Sequence, residues 1–426
     1  MDKFIIKGGC TLNGEVTISG SKNAALPILI ATMLSSDDSI IGNIPNLDDV
    51  QNLKQLLMDF GIKILHFDKK NYFSHIINKE FCYSEPSNEV VKKFRASILM
   101  LGPLLAKIGK AKISLPGGCA IGKRPVNMHL DGLSMMGANI IIENDQIKAH
   151  VPNGRLSGAR IKFRFPSVGA TENIMMAACL ADGTTILENA AQEPEIIELA
   201  QALNSMGSMI IGAGTRTIQI IGQKSLKGMR HIISPDRIEI GTFIAMATIT
   251  GGNIFIKNVC LKTLQSIVIN FQKIGCNFHV DQNGVRVNAS KQIQNINIKT
   301  APYPGFPTDM QAQIMSCLCV ANGISYIQEN VWENRFMHTL ELTKMGADIS
   351  THGNLAIIKG KNKLTGSKVK ASDLRASAGL IIAALSAEGT SEILHIHHLD
   401  RGYVTLENKL VQLGVDILRV NDSNIL

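Results

Sequence analysis

Residues 202–211 read ALNSMGSMII. Apolar residues at helical spacing lead to Gly207, and a short apolar run follows it. A glycine just past a helix supplies a left-handed C-cap. The change from period 3.6 to period 2 marks the passage from helix to strand. The same phrase recurs as LLMDFGIKIL (56–65), LSMMGANIII (133–142), NFQKIGCNFHV (270–280), LTKMGADIS (342–350) and LVQLGVDILRV (410–420). Its glycines are Gly61, Gly137, Gly207, Gly275, Gly346 and Gly414, at steps of 76, 70, 68, 71 and 68 residues. Solenoid repeats run to roughly 20–50 residues, so this period is too long for one. It fits an α/β unit used six times, as two pseudo-symmetric lobes of three with a cleft between them.

A second phrase precedes the first. It is an Ala- and Met-rich helix, a glycine with a small or polar neighbour, and a β-branched strand. Clear copies are IMMAACLADGTTILEN (174–189), FIAMATITGGNIFIKN (243–258), MSCLCVANGISYIQEN (315–330) and LIIAALSAEGTSEILHI (380–396). Each full unit is therefore helix, strand, helix, strand. The small residues imply helices packed closely under sheets.

The 426 residues exceed what one core accommodates and suit two. A hydrophobic content of 45% with 18% charged residues belongs to a folded globular chain. No apolar run reaches the ~20 residues of a membrane span. The start, MDKFIIKGGC, has neither the apolar core nor the cleavage site of a secretory signal. The eight cysteines show no framework spacing, so a cytoplasmic chain with reduced thiols is expected. The formal charge of +8 fits either nucleic acid or a site for small anions. Aromatics make up only 5%, and the basic stretch KGKNKLTGSKVK (359–370) holds none, which is poor material for base stacking. Small anions are the favoured partners.

FIIKGG and EVTISG, around TLNGE, read as a hairpin turning at Asn13-Gly14. The pattern restarts near KSLKGMRHIISPDRIEIGT (224–242), placing one lobe at 22–234 and the other at 235–426. The residues themselves leave open which lobe the hairpin joins.

Chemistry concentrates where the small helices begin: GSKNAALP, FRASILM, PSVGATE, PDRIEIGT, FPTDMQAQ and SDLRASAG. Ser21, Ser167, Thr308 and Ser372 stand at N-cap positions. Helix N-termini carry unpaired N–H groups and partial positive charge, so they attract anions. Lys22, Arg95 and Arg375 lie within a turn of such starts, and their recurrence points to a substrate bearing phosphate or carboxylate.

The second unit departs from its siblings by inserting PGGCAIGKRPVNMH (116–129). Cys119 precedes Lys123 and Arg124 in this glycine- and proline-rich loop, and nearby cations favour a reactive thiolate. Cys179, Cys317 and Cys319 lie in apolar helical runs and Cys276 leads into a strand, as inert core thiols do. Asp309, in PTDMQAQ, reads equally as a capping residue or as a carboxylate base. In HIHHLDRGY (395–403), His395 and His397 would share a strand face, but a metal needs more ligands and no second cluster appears. No metal is expected there. Arg401 is the better anion ligand, by forked guanidinium contacts.

GSKNAALP, RASIL, PGGCAIGKRPV, SVGATE, PTDMQAQ, ENRFMH, SDLRASAGL and DRGY together resemble the UDP-N-acetylglucosamine 1-carboxyvinyltransferase family, end to end and in order. The sister transferases on shikimate 3-phosphate lack the cysteine loop. The resemblance implies a two-domain inside-out α/β barrel of six repeated units, with 1–21 joined to 235–426 and the active site in the cleft. It implies transfer of the enolpyruvyl group of phosphoenolpyruvate to the 3′-hydroxyl of UDP-N-acetylglucosamine, with release of phosphate, in the first committed step of peptidoglycan synthesis. Addition then elimination, through a phosphorylated tetrahedral intermediate, needs no cofactor.

By the same resemblance, Lys22 and Asn23 meet phosphoenolpyruvate, and Cys119 protonates its methylene carbon. Arg124 and Arg401 grip its anionic groups, and Asp309 takes part in proton transfer at the sugar hydroxyl. Arg95, Pro125, Val126, Asn127, Met128, Ser167, Val168 and Gly169 hold the nucleotide sugar, together with Phe165. Val331 and Arg335 line the sugar site, while Asp373 and Arg375 lie near the closing interface. Asn127 and Phe165 stand where the family commonly has aspartate and lysine, and Leu99 and Trp332 where it often has Trp and Phe. A monomer acting on small molecules, without nucleic acid or membrane, is expected. Other readings are a transferase with a different acceptor, an RNA-end-processing protein of related architecture, and a non-catalytic sugar-nucleotide binder.

Overall fold

The computed structural model describes residues 2–68, 73–79, 95–115, 126–259 and 261–421. Among them the chain forms two compact units, one of residues 20–115 and 126–234, the other of residues 2–19 and 235–421.

All six repeat glycines adopt the left-handed backbone anticipated, with φ from 81° at Gly61 to 110° at Gly275. Past the glycine, the N–H groups of Ile62, Ala138, Ser208, Ala347 and Val415 return to the C=O of Leu57, Leu133, Leu203, Leu342 and Leu410 at 3.0–3.2 Å. This is the Schellman closure. It satisfies carbonyls that a helix end otherwise leaves unpaired, and it turns the chain into the next strand.

The small helices form the interior of each unit. In the 2–19/235–421 unit, Arg237–Thr250 is buried at every position from Ile238 to Ile249, Gln311–Leu318 is buried throughout, and Leu374–Ser386 is buried from Arg375 to Leu385. The three pack on one another, and sheets cover them. A helix apolar on all sides has no face for solvent, and its place is the middle of a core. Lys22–Ala31, Leu101–Ile108 and Val168–Ala178 are the corresponding helices of the other unit.

Six open sheets surround these helices, five of four strands and one of three among the described residues, and none closes on itself. The common plan is three antiparallel strands plus a short parallel edge strand. Arg160–Lys162, for example, runs parallel to Thr184–Glu188 with the helix Val168–Ala178 between them in sequence.

The N-terminal hairpin is not formed. Asp2–Lys7 lies between Thr390–Leu394 and Asp416–Asn421, antiparallel to both. Asn13–Thr17 is instead the parallel edge strand beside Asn253–Lys257 of a different sheet. Asn13 donates its N–H to the Leu413 C=O, so the Asn-Gly pair begins a strand rather than a turn. Two sheets that each lack one strand outcompete a local hairpin, which alone is marginal in water. Both strands pair within the second unit. The segment 20–234 is therefore inserted into the crossover between the parallel strands Asn13–Thr17 and Asn253–Lys257, ahead of its helix Arg237–Thr250.

Candidate active site

In the 20–234 unit, helices whose starts were singled out above meet at the short 3-10 stretch Arg95–Met100. The helices Lys22–Ala31, Leu101–Ile108 and Val168–Ala178 all pack against it, and Asn127–Met135 packs on Val168–Ala178. Ser21 and Ser167 cap their helices as expected, each accepting from the N–H three residues on at 3.3 Å. A lysine at a helix start opposes the helix dipole. Here Lys22 is offset by Asp49, whose Oδ2 lies 3.3 Å from Nζ with both side chains largely buried.

Asn173, which the sequence reading missed, ties this face together. Its amide N–H groups donate to the Ile98 C=O at 2.9 Å and to His129 Nδ1 at 3.0 Å, and its Oδ1 accepts from the Gly102 N–H at 2.7 Å. His129 therefore carries its proton on Nε2. Gly102 can be nothing larger, because a Cβ there would stand 2.4 Å from the Asn173 carbonyl oxygen. The His129 ring lies beside Gly169, 3.2 Å from where a Cβ would sit, and Leu99 also packs there. Val126, Asn127 and Met128 form the start of the helix carrying His129. Phe165 is exposed. Cys119, Arg124 and Pro125 lie outside the described residues.

In the other unit Asp309 sits between two arginines. Arg335 Nη2 is 2.9 Å from its Oδ1 and Arg375 Nη2 is 2.9 Å from its Oδ2. The guanidinium side chains are 3% and 7% exposed and the carboxylate 30% exposed, so the acid faces outward and the cations stand behind it. Arg375 lies over the Tyr403 ring, 5.9 Å from its centroid, and Asp309 holds it firmly protonated against the effect of burial. A carboxylate forked between two cations is a weak base.

Glu329, also missed, fixes the neighbouring loop from a buried position. Its Oε1 accepts from Thr300 Oγ1 and from the Val331 and Trp332 N–H groups at 2.9–3.2 Å, and its Oε2 accepts from Thr308 Oγ1 at 2.9 Å. Thr308 is thus not a helix cap. It opens the short turn Thr308–Met310 and holds that turn to Val331. Ser372 is not a cap either. Asp373 takes that role, accepting from the Arg375 and Ala376 N–H groups, while the Ser372 hydroxyl donates to its Oδ2. The capping residue of Arg237–Thr250 is Asp236.

His338 is buried near Arg335 and Asp373. Burial first, then Arg335, lowers its pKa to about 4 against the opposing pull of Asp373, which keeps the ring neutral. Arg401 ends the four-residue helix His397–Asp400 and is partly buried. The strand before it ends at Leu394, so His395 and His397 do not share a strand face. His395 turns the chain with φ 62°. No group of three His, Cys, Asp or Glu among the described residues is placed to hold a metal.

The core cysteines behave as the sequence suggested. Burial pushes the thiols of Cys179 and Cys319 up to about 12 and that of Cys276 to about 11, and it raises Cys317 as well. Most lysines of the basic stretch are ion-paired: Lys361 with Asp348, Lys363 with Glu388 and Lys368 with Glu392. No helix among the described residues is long and apolar enough to cross a membrane.

The model of the EPSP synthase (3-phosphoshikimate 1-carboxyvinyltransferase) family matches residues 6–410. A UDP-N-acetylglucosamine 1-carboxyvinyltransferase of Geotalea uraniireducens is 51% identical over 99% of this chain and all of its own. Another, numbered 1, from Staphylococcus aureus is 48% identical over the same shares. Among solved structures, the enolpyruvyl transferase NikO of Streptomyces tendae superposes with a TM-score of 0.89 at 24% identity, over 98% of this chain and 99% of that one. An EPSP synthase of Acinetobacter baumannii follows with a TM-score of 0.77 at 17% identity, over 99% and 100%. These two likenesses speak to the fold. With sequence identity near one half along its whole length, the chain belongs to the UDP-N-acetylglucosamine 1-carboxyvinyltransferases within the EPSP synthase family of enolpyruvyl transferases.

Proposed function

We propose that this chain transfers the enolpyruvyl group of phosphoenolpyruvate to the 3′-hydroxyl of UDP-N-acetylglucosamine and releases phosphate, supplying peptidoglycan synthesis. The observation that carries the reading is the full-length 51% identity to a relative named for that transfer.

The residues divide by chemistry. Ser167, Val168 and Gly169 begin a capped helix whose free N–H groups suit a diphosphate. With Arg95 and the stretch Pro125 to Met128, they hold the nucleotide. Lys22 exchanges its Asp49 partner for the phosphate of phosphoenolpyruvate, and Asn23 stands beside it. Arg124 and Arg401 take the remaining anionic groups of that substrate by forked hydrogen bonds. Cys119 gives its proton to the methylene carbon as the sugar oxygen bonds to the adjacent carbon. Phosphate then leaves and the methylene proton is returned, which restores the double bond. Asp309 receives the hydroxyl proton once Arg335 turns toward substrate while Arg375 keeps its place, and Val331 and Asp373 border the sugar and Arg375. Both residue groups act on one pair of substrates. Concentrated positive charge offsets the repulsion between two polyanions, a differential effect that grows as charge develops in the transition state. The enzyme works in the cytoplasm.

Phosphate release is measured with each substrate alone and with both. Release requires both, and shikimate 3-phosphate does not replace the nucleotide sugar. Release with phosphoenolpyruvate alone at the full rate, or none with both, contradicts the assignment.

A further inference from the structure

We propose that Thr242, acting through Tyr403 and Arg375, is a positioning residue for the Asp309 carboxylate. Arg375 was legible at its helix start, but the two residues behind it were not: Thr242 lies in the middle of a buried helix, and Tyr403 ends DRGY without an assigned role.

The hydrogen-bond accounting fixes the direction of the chain. Thr242 has one hydroxyl proton, and it goes to the Ile238 C=O at 2.7 Å. The 2.8 Å contact between Thr242 Oγ1 and Tyr403 Oη must then use the tyrosine proton. That leaves the lone pairs of Tyr403 for Arg375, whose Nη1 lies 3.4 Å away. Arg375 in turn gives Nη2 to Asp309 Oδ2 at 2.9 Å. Each group has one role available and takes it: arginine to phenol, phenol to threonine, threonine to helix carbonyl. The Gln313 amide fills the last acceptor position on Thr242 at 3.4 Å and bonds the Asp309 C=O at 2.8 Å, bracing the acid's backbone against the same threonine.

The chain lies in the core. Thr242 is wholly buried and Tyr403 nearly so, and the phenol is kept neutral by burial. Solvent does not compete for these bonds, so they hold the guanidinium plane at one angle. The same guanidinium also lies over the Tyr403 ring. A base must meet its proton at hydrogen-bond range and on line, and an arginine free to swivel would carry the Asp309 oxygens with it.

The inference rests on the proposed transfer, in which Asp309 handles the sugar proton. Tyr403→Phe keeps the ring and removes the hydroxyl, Thr242→Val keeps the shape and removes the acceptor, and Thr242→Ser keeps the hydroxyl. Phosphate release in Tyr403→Phe and Thr242→Val should show kcat about tenfold lower, the effect of one lost buried hydrogen bond. KM for each substrate should stay within about twofold, because the loss falls on the transition state. Thr242→Ser should restore kcat, and the double variant should be no slower than Tyr403→Phe. Parental kcat in both single variants, whatever their melting temperatures, overturns the inference. Absence of turnover in the parent would count against the transfer itself, and a substrate-free measurement then decides this point. Nitrogen NMR of the Arg375 side chain should show separate, slowly exchanging Nη signals in the parent and averaged ones in Tyr403→Phe. Identical signals in the two overturn the inference as well.

Discussion

Asp309 is both the partner of two buried guanidiniums and the proposed acceptor of the sugar proton. Two nearly dry guanidiniums face it, and removing the carboxylate leaves them unpaired. Breaking a fully buried pair costs about 3–5 kcal/mol. Asp309 is 30% exposed, so solvent recovers part of that cost, and Asp309→Asn should cost about 2 kcal/mol in urea unfolding. The same substitution should lower phosphate release at least about a hundredfold through loss of the base. Unfolding unchanged, or turnover near the parental rate, would remove Asp309 from the role given to it.

Glu172 offers a pH test. Burial, then the nearby Glu195 and Glu193, hold its pKa well above the usual carboxylate range. The folded state therefore binds a proton that the unfolded state gives up near pH 4.5. Stability from this group is full below that value and is lost as pH rises toward the folded pKa. Glu172→Gln, which cannot ionise, should gain melting temperature relative to the parent as pH increases from 5 to about 8. A constant difference over that range would mean the carboxyl is not held protonated.

The sequence made Asp309, Lys22 and Arg375 legible because each stands at a helix start beside recurring partners. It hid Asn173, Glu329 and Asp49, whose importance comes only from what they touch far along the chain. Glu329 bonds Thr300 and Thr308, and Asn173 bonds Ile98 and His129, contacts that no local pattern encodes.

At the scale of elements, the repeat glycine is the device that makes one helix-to-strand passage work six times. Gly137 has φ 95° and open space where a Cβ would go, so its replacement tests backbone strain without a clash. Gly137→Ala should cost about 1 kcal/mol, and Gly137→Asn less, because Asn tolerates the left-handed region better. Equal stability of alanine and parent in denaturant unfolding would mean that this position does not need glycine. Helix-to-strand passages were readable because their caps are local. Two of the caps were misread for a similar reason. Ser372 and Asp373 are adjacent, and the carboxylate wins by accepting two N–H groups at the positive helix end. The N-terminal strands failed to form their hairpin because their partners are close to 240 and 390 residues away, and only the assembled sheets reveal the vacancies they fill.

For the whole molecule, the seventy-residue period told the architecture: six α/β units, buried small helices and open sheets around them. It could not tell that the first unit is threaded into a crossover of the second, since that depends on the pairing of Asn13–Thr17. Nor does architecture choose the reaction, as the EPSP synthase likeness at 17% identity makes plain. The acceptor is decided by residues, and the claim that most needs testing is which oxygen receives the enolpyruvyl group. Purified protein incubated with phosphoenolpyruvate and UDP-N-acetylglucosamine is followed by proton NMR of the nucleotide sugar. A pair of vinylidene protons on a new ether at the 3′-oxygen should appear in step with free phosphate. A sugar spectrum that stays unchanged while the protein is folded and both substrates are present would contradict the proposed transfer.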